Sequence, residues 1–388
     1  MHLKVNRVLE RRLQKSRKEK SSTSLIEVRK NDHLKICMEN KVEAKSVTTG
    51  FEDIFLVHRA LPEINRDEVK LAVKFFNHKF SAPIIVEGIT GGTSRALKIN
   101  AAIAEAVEAL GLGMGVGSQR AGLEDTKLER TYRVARKKAP NAFLVANIGG
   151  PQLVRGYDLK DLKRAIEMIE ADALAIHLNP LQEAVQPEGE PTYKGIIEKI
   201  RLITKGLEVP VIVKETGAGI ACEDARMLED AGVAGIDVAG AGGTSWAAVE
   251  YHRAKKRGCE SFQKLGELLW DWGIPTAVSL VEALQSVKIP VIASGGIRSG
   301  IDAAKALALG ASLAGFAAPV LMPALKGADK VEELLTDFMN QLRNVMFLAG
   351  ADSINKLRNV PLILTGKTAE WLRARGFKPE IYARRGLR

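Results

Sequence analysis

A short apolar signature opened by proline recurs three times in this chain: Ala82-Pro83-Ile84-Ile85-Val86, Val209-Pro210-Val211-Ile212-Val213 and Ile289-Pro290-Val291-Ile292-Ala293. Proline costs no ladder hydrogen bond at the first residue of a strand, and an unbroken β-branched run suits a parallel strand covered on both faces. Further apolar strands are expected over residues 114–116, 143–146, 173–177, 235–239 and 313–318. Helical patterns over 94–110, 129–139, 159–170, 193–207 and 222–231 lie between them. Glycines after Leu110, Ala231 and Leu309 supply helix stops. Eight strands alternating with helices across about residues 80–325 predict an α/β protein, a closed (β/α)8 TIM barrel with an N-terminal extension and C-terminal helices. An open doubly wound sheet would want a GxGxxG turn after its first strand, and Gly88-Ile89-Thr90-Gly91-Gly92 is not one.

Outside the barrel, residues 21–80 predict a strand-like hairpin lid over one end, and residues 329–388 two or three amphipathic helices. The segment 271–284 falls in the long sixth βα connection, where added structure shapes active sites. Residues 1–24 are expected to form a basic, flexible arm, and residues 25–388 a single domain. That arm explains most of the net charge of +11, since residues 1–20 carry eight Lys or Arg against two Glu. A basic tail without interleaved aromatics does not stack bases, so no nucleic-acid partner is expected. No apolar run reaches the roughly 20 residues that span a bilayer, so no membrane partner is expected either. The cysteines at 37, 222 and 259 form no CxxC pair, which fits a reducing cytoplasm.

The chemistry concentrates where a barrel puts it, at the C-terminal ends of the strands. Ser294-Gly295-Gly296-Ile297-Arg298-Ser299-Gly300 leads from a strand into a helix whose first N–H groups and dipole make an anion site. The next strand ends in the small residues Ala317 and Ala318, and the loops after strands seven and eight are the usual phosphate site. Other strand ends are unusually polar: Thr90, Ser118-Gln119-Arg120, Asn147, His177, Lys214-Glu215-Thr216, Asp237 and Thr244. Lys, Arg, His and Glu converging on one mouth mark a site. A mouth salt bridge between Lys214 and Glu215 is the structural alternative.

With these motifs in place, the chain resembles the type II isopentenyl diphosphate isomerases, the FMN-dependent form, over about residues 25–385. The matching segments are Arg29-Lys-Asn-Asp-His33, Ile89-Thr-Gly-Gly92, Met114-Gly-Val-Gly-Ser-Gln-Arg120, Ala146-Asn-Ile-Gly149, His177-Leu-Asn-Pro-Leu-Gln-Glu183, Val213-Lys-Glu-Thr216, Ala241-Gly-Gly-Thr244 and Ser294–Gly300. The resemblance implies FMN, Mg²⁺, NADPH as the flavin's reductant, a small-molecule diphosphate substrate and a homo-oligomer, tetramer or octamer. It places FMN on Gly88, Ile89, Thr90, Ser118, Asn147, Lys214 and Thr244, with the phosphate on Gly296, Ile297, Arg298, Ala317 and Ala318. It places the substrate on Arg29, Lys30, Ser118, Gln119, Arg120 and Gln182, and the metal on Glu183. Gln182, Lys214 and His177 are the implied catalytic residues. Two positions depart from the pattern: Ala239 where a Ser or Thr is common, and Glu87 where a small or neutral residue is.

The implied reaction is an allylic proton shift, isopentenyl to dimethylallyl diphosphate. An ordinary carboxylic acid protonates an unactivated alkene poorly, whereas a reduced anionic flavin supplies both a proton and stabilising charge. The alternative is an FMN barrel oxidoreductase of another substrate. A hydroxy-acid oxidase needs a His–Arg pair near the end of strand six, where this chain reads Asp237-Val-Ala-Gly-Ala-Gly-Gly-Thr244.

Overall fold

The computed structural model describes residues 27–386, so the basic arm lies outside the described residues. The strands are β1 (Ile54–Leu56), β2 (Val73–Phe75), β3 (His78–Phe80), β4 (Ile84–Val86), β5 (Gly113–Gly115), β6 (Phe143–Gly149), β7 (Ala173–His177), β8 (Val211–Lys214), β9 (Gly235–Asp237), β10 (Val291–Ala293), β11 (Leu313–Phe316) and β12 (Leu362–Leu364). Those from β4 to β11 close into a parallel barrel in the order β10-β11-β4-β5-β6-β7-β8-β9. Each of the three prolines sits immediately before its strand, where no ladder bond is asked of it.

Side chains alternate across each strand, and that period sorts the core into two. Ile84, Val86, Val211, Val213, Val291 and Ala293 point outward into the layer packed against the helices. Ile85, Val145, Ala175, Ile212, Ile292 and Leu313 point inward and fill the barrel. Burying each of the Val, Ile and Leu side chains among these contributes about 1.5–3 kcal/mol. The helices start where the sequence signals it. Ser299 and Asp302 form a reciprocal capping box ahead of Gly300–Leu309, and Asp158 and Asp161 do the same ahead of Leu159–Ile169.

The expected hairpin is β2 paired antiparallel with β3, Val73 opposite Phe80. Its Phe75 and Phe80 join Phe143 and the inward-facing apolar layer. Phe75 meets Phe80 and Phe143 edge-to-face at ring separations of 6.2 and 5.8 Å, and Phe80 and Phe143 lie tilted at 5.5 Å. The hairpin therefore plugs the N-terminal end, below the strand starts Gly113 and Phe143. The C-terminal region departs from helices alone: β12 pairs antiparallel with β1 beside the long helix Ala328–Leu348. A strand of three residues carries no readable period. The sixth connection is also corrected. Thr276–Leu284 is almost wholly buried and belongs to the barrel's own helical layer, whereas the added structure is Trp246–Lys256 and Glu260–Leu268. Among the described residues no helix is long and apolar enough to cross a membrane.

Candidate active site

The same period of two that fills the barrel builds its polar floor. One step beyond the apolar layer, Glu87, Asn147, His177, Lys214, Asp237 and Ser294 share the inward face. Of these, Glu87, Asn147, Lys214 and Asp237 line a small cavity together with Ile85, Gly88, Gly115, Val145, Ala175, Ile212 and Ile292. Lys214 Nζ lies 3.1 Å from Asp237 Oδ2 and 3.5 Å from Glu87 Oε2. Burial alone would lower the Lys214 pKa, but the carboxylates of Asp237 and Glu87 outweigh it and hold the ammonium above the ordinary lysine range. Asp237 Oδ1 accepts a hydrogen bond from Ser294 Oγ at 2.6 Å. Burial, reinforced by Asp237, pushes the Glu87 carboxyl up to about 8.

The alternative of a Lys214–Glu215 salt bridge is not the one formed. Lys214 Nζ donates to the Glu215 backbone carbonyl at 2.9 Å, while the Glu215 carboxylate turns away to accept the N–H groups of Thr216, Gly217 and Ala218. Burial still raises its carboxyl to about 7 despite those donors. On the other side of the floor, His177 Nδ1 is 2.7 Å from Asn147 Oδ1. With the amide oxygen accepting, Nδ1 carries the proton and Nε2 is left as an acceptor. Burial, then the positive charges of Lys214 and Lys30, depress His177 to about 3, so it enters as neutral imidazole.

At the rim, a helix over residues 27–39 delivers Arg29 and Lys30. Lys30 Nζ donates to Ser118 O and Tyr132 Oη, both at 2.8 Å. Its third donor remains for a ligand. Burial, with Arg29 and Arg120 close by, lowers Lys30 to about 7. Arg29 is lowered by burial and by Arg120, and it faces Glu183 and Glu188. Arg155, a member the motifs did not flag, feels the same Glu183 and Arg120 charges and contacts Glu190. These cations gather among carboxylates of their own, Arg120 Nε lying 2.7 Å from Glu124 Oε1. Glu183 borders them, its carboxyl raised by burial, with Oε1 3.2 Å from Asn179 Nδ2 and Oε2 accepting from Glu190 N. Gln182 is oriented by Asn179, whose Nδ2 is 3.0 Å from Gln182 Oε1, and its own Nε2 reaches Glu250 at 3.4 Å.

The glycine turn after β10 forms the third part. Gly296 takes φ +70°, and a Cβ there would lie 2.4 Å from Thr49 Cγ2 and 3.0 Å from Gly242. Glycine is thus required by the loop's own packing on the 48–49 and 242–243 segments. Among the described residues the N–H groups of Gly296 and of buried Ile297 have no hydrogen-bond partner. Arg298 N is taken by Asp302 Oδ2, and its guanidinium sits 3.6 Å from Glu43. Ala317 and Ala318 open the helix Ala318–Lys326 with no side-chain cap. Thr244 bridges to Glu43, which brings the segment around residue 43 alongside.

Most expected residues therefore share one mouth, with one exception. The Gln119 side chain is fully buried, its amide nitrogen 2.8 Å from Ala165 O and its oxygen accepting from Asn147 N at 2.9 Å. It clamps Asn147 and does not face the cleft. Thr90 is buried and Gly88 opens to the cavity, where a Cβ would lie 2.3 Å from Val116 O and 3.0 Å from Asn147 Nδ2. Ala239 is buried at φ +37°, a strained conformation for alanine. A further network lies beside the rim. His33 Nε2 lies 2.8 Å from Glu250, whose carboxylate also binds buried Arg253, itself paired with Glu188. This ties the rim helix to the added helix Trp246–Lys256. The signal available was the charged Glu250 and Arg253 inside an otherwise apolar helical stripe.

Comparison with known proteins supplies the family context. Residues 159–363 match the family described as FMN-dependent dehydrogenase. A protein of Methanothermobacter thermautotrophicus named isopentenyl-diphosphate delta-isomerase is 52% identical over 361 residues, covering 93% of this chain and 100% of that relative. One of the same name from Pyrococcus furiosus is 49% identical over 356 residues, covering 90% and 89%. Among solved structures, a mandelate oxidase mutant with a monooxide FMN adduct superposes with a TM-score of 0.59 at 22% identity, covering 82% of this chain and 90% of that one. A putative lactate oxidase of Pediococcus acidilactici gives 0.59 at 20% identity, covering 84% and 88%. These two likenesses speak for the barrel fold alone.

Proposed function

The chain belongs to the isopentenyl-diphosphate delta-isomerase family and is an isomerase, and from that premise we propose that it interconverts isopentenyl and dimethylallyl diphosphate using FMN and Mg²⁺. The carrying observation is the presence in one mouth of two separate sets of anion-binding groups. Lys214 stands on the floor, and Arg29, Lys30 and Arg120 stand at the rim. An oxidase of a monocarboxylate has no need of a rim so heavily cationic.

The residues present fit the cofactor. Unpaired N–H groups at Gly296 and Ile297 offer a phosphate donors beside a capped helix start. Gly88 leaves its face of the cavity open, and Lys214 gives the polar edge of a ring a fixed positive charge. When bound and reduced, FMN supplies ring acid–base groups and negative charge suited to a proton shift at an alkene. The protein's own part is positional. Arg29, Lys30 and Arg120 hold the diphosphate, with charge-assisted hydrogen bonds worth roughly 1.5–3 kcal/mol each. Glu183 offers Mg²⁺ one carboxylate, and diphosphate oxygens and water complete a set typical of that ion. Asn147 and His177 present an uncharged wall, with imidazole Nε2 as acceptor and the Asn147 amide Nδ2 as donor, and Gln182 is held in place by Asn179 and Glu250.

Isopentenyl and dimethylallyl diphosphate have one oxidation level, so reduced flavin is required and not consumed. The protein with oxidised FMN is therefore expected to be inactive. Anaerobic dithionite or NADPH switches it on for many turnovers, and product formed in heavy water carries deuterium. Glu183→Gln weakens the Mg²⁺ dependence. One reductant oxidised per product would overturn the reading and favour an FMN oxidoreductase of another substrate.

A further inference from the structure

Glu87 is the floor residue that the reading above leaves without a role. It follows β4, whereas Lys214 ends β8, and these strands are opposite members of the eight-strand ring. Their contact therefore runs across the barrel axis, directly over the inward apolar layer. The floor holds one ammonium and two carboxyl groups, and every other wall of the cavity is uncharged. β5 gives Gly115, β6 gives Val145 and Asn147, β7 gives Ala175, β10 gives Ile292, and the β11 residue Gly315 lies against the Glu87 carboxyl. The nearest further titratable groups are His177, which is neutral, and Glu215, whose carboxylate is turned onto the backbone of residues 216–218. With all three floor groups ionised the net charge is −1 in a desolvated space. A ring edge bound by Lys214 shares that ammonium with both carboxyls. An anionic ring would then add a second uncompensated charge, and low-dielectric surroundings make such repulsion costly.

We propose that Glu87 is the charge-balancing residue of this floor, its carboxyl taking up a proton from solvent when the flavin held by Lys214 becomes anionic and releasing it on reoxidation. Geometry selects Glu87 over Asp237 for this part. Asp237 accepts a hydrogen bond from Ser294 Oγ at 2.6 Å and has Lys214 nearer, at 3.1 Å. Glu87 has Lys214 at 3.5 Å, and once protonated it donates a hydrogen bond to Asp237. Two electrons from dithionite and one proton enter the ring, and one further proton enters Glu87 wherever Glu87 was ionised beforehand. Glu87 does not touch the substrate in this scheme; it sets the potential of the ring through Lys214.

The inference rests on FMN occupying this mouth, and the experiment separates the two claims. The FMN-loaded wild type and Glu87→Gln are titrated spectroelectrochemically with dithionite from about pH 6 to about pH 9.5. In the wild type the pH dependence of the potential steepens above about pH 8. It changes from one proton per two electrons to two. In Glu87→Gln it stays at one throughout. Reduced-minus-oxidised infrared spectra of the wild type near pH 9 gain a deuterium-sensitive carboxylic acid band, which the variant lacks. Should the variant lose its fold or its flavin, the wild-type slope and infrared band decide the matter alone. A wild-type slope of one proton throughout, or no carboxyl band, overturns the role of Glu87 while leaving the FMN reading intact. A wild type that takes up no FMN overturns both.

Discussion

Lys30 is where a single residue has the clearest consequence. Its ammonium is buried beside two arginines and titrates near 7, well below an exposed lysine. On the proposed reading a diphosphate binds the charged form, so above that pH binding must be accompanied by proton uptake. Substrate affinity should therefore fall by up to about tenfold per pH unit above 7 relative to Lys30→Arg, whose guanidinium stays charged. Calorimetry in buffers of different ionisation enthalpy measures the proton uptake directly, and flavin content should be the same in both proteins. Residues of this kind were legible in the sequence as members of motifs, but not in their burial. Arg29-Lys30 reads equally well as a solvated charge run. Only the packing of the 27–39 helix against Ser118 and Tyr132 turns it into a desolvated pocket. Gln119 erred the other way. A polar residue inside a matched motif read as a ligand contact, while its amide serves the backbone of Ala165 and Asn147.

At the scale of elements, the strands were readable because an inward apolar layer and an outward one leave β-branched runs bounded by proline. The polar floor was readable for the same reason, since strand ends in a barrel point into its mouth. The β1–β12 pair was not, because two strands of three residues, 305 or more positions apart along the chain, share no local pattern. The β2–β3 hairpin lies between these cases: its aromatics announce a strand pair, and only the fold shows which end it closes. Phe80 is completely buried among Phe75 and Phe143. Phe80→Ala should cost about 3–5 kcal/mol of stability, checked by chemical denaturation. The absorbance of bound flavin should stay unchanged, because the apolar layer separates the plug from the floor.

For the molecule as a whole, the functional groups all lie within the described residues 27–386, and the basic arm precedes them. Deleting residues 1–20 should leave turnover nearly unchanged, and a large loss in a folded truncated protein would show that the arm completes the site. The blind lower end has a different consequence, one of traffic. Ring side chains of the hairpin stop the barrel axis below, so cofactor and substrate must use a single doorway above. On the proposed reading, the groups that would hold the flavin lie deepest, at Lys214 and Gly88, and those that would hold the diphosphate lie at the lip, on the 27–39 helix. Entry is then last-in, first-out. Saturating isopentenyl diphosphate should slow the exchange of bound FMN for free FMN, as a cork slows the emptying of a bottle, and Lys30→Ala should restore the faster exchange at the same substrate concentration.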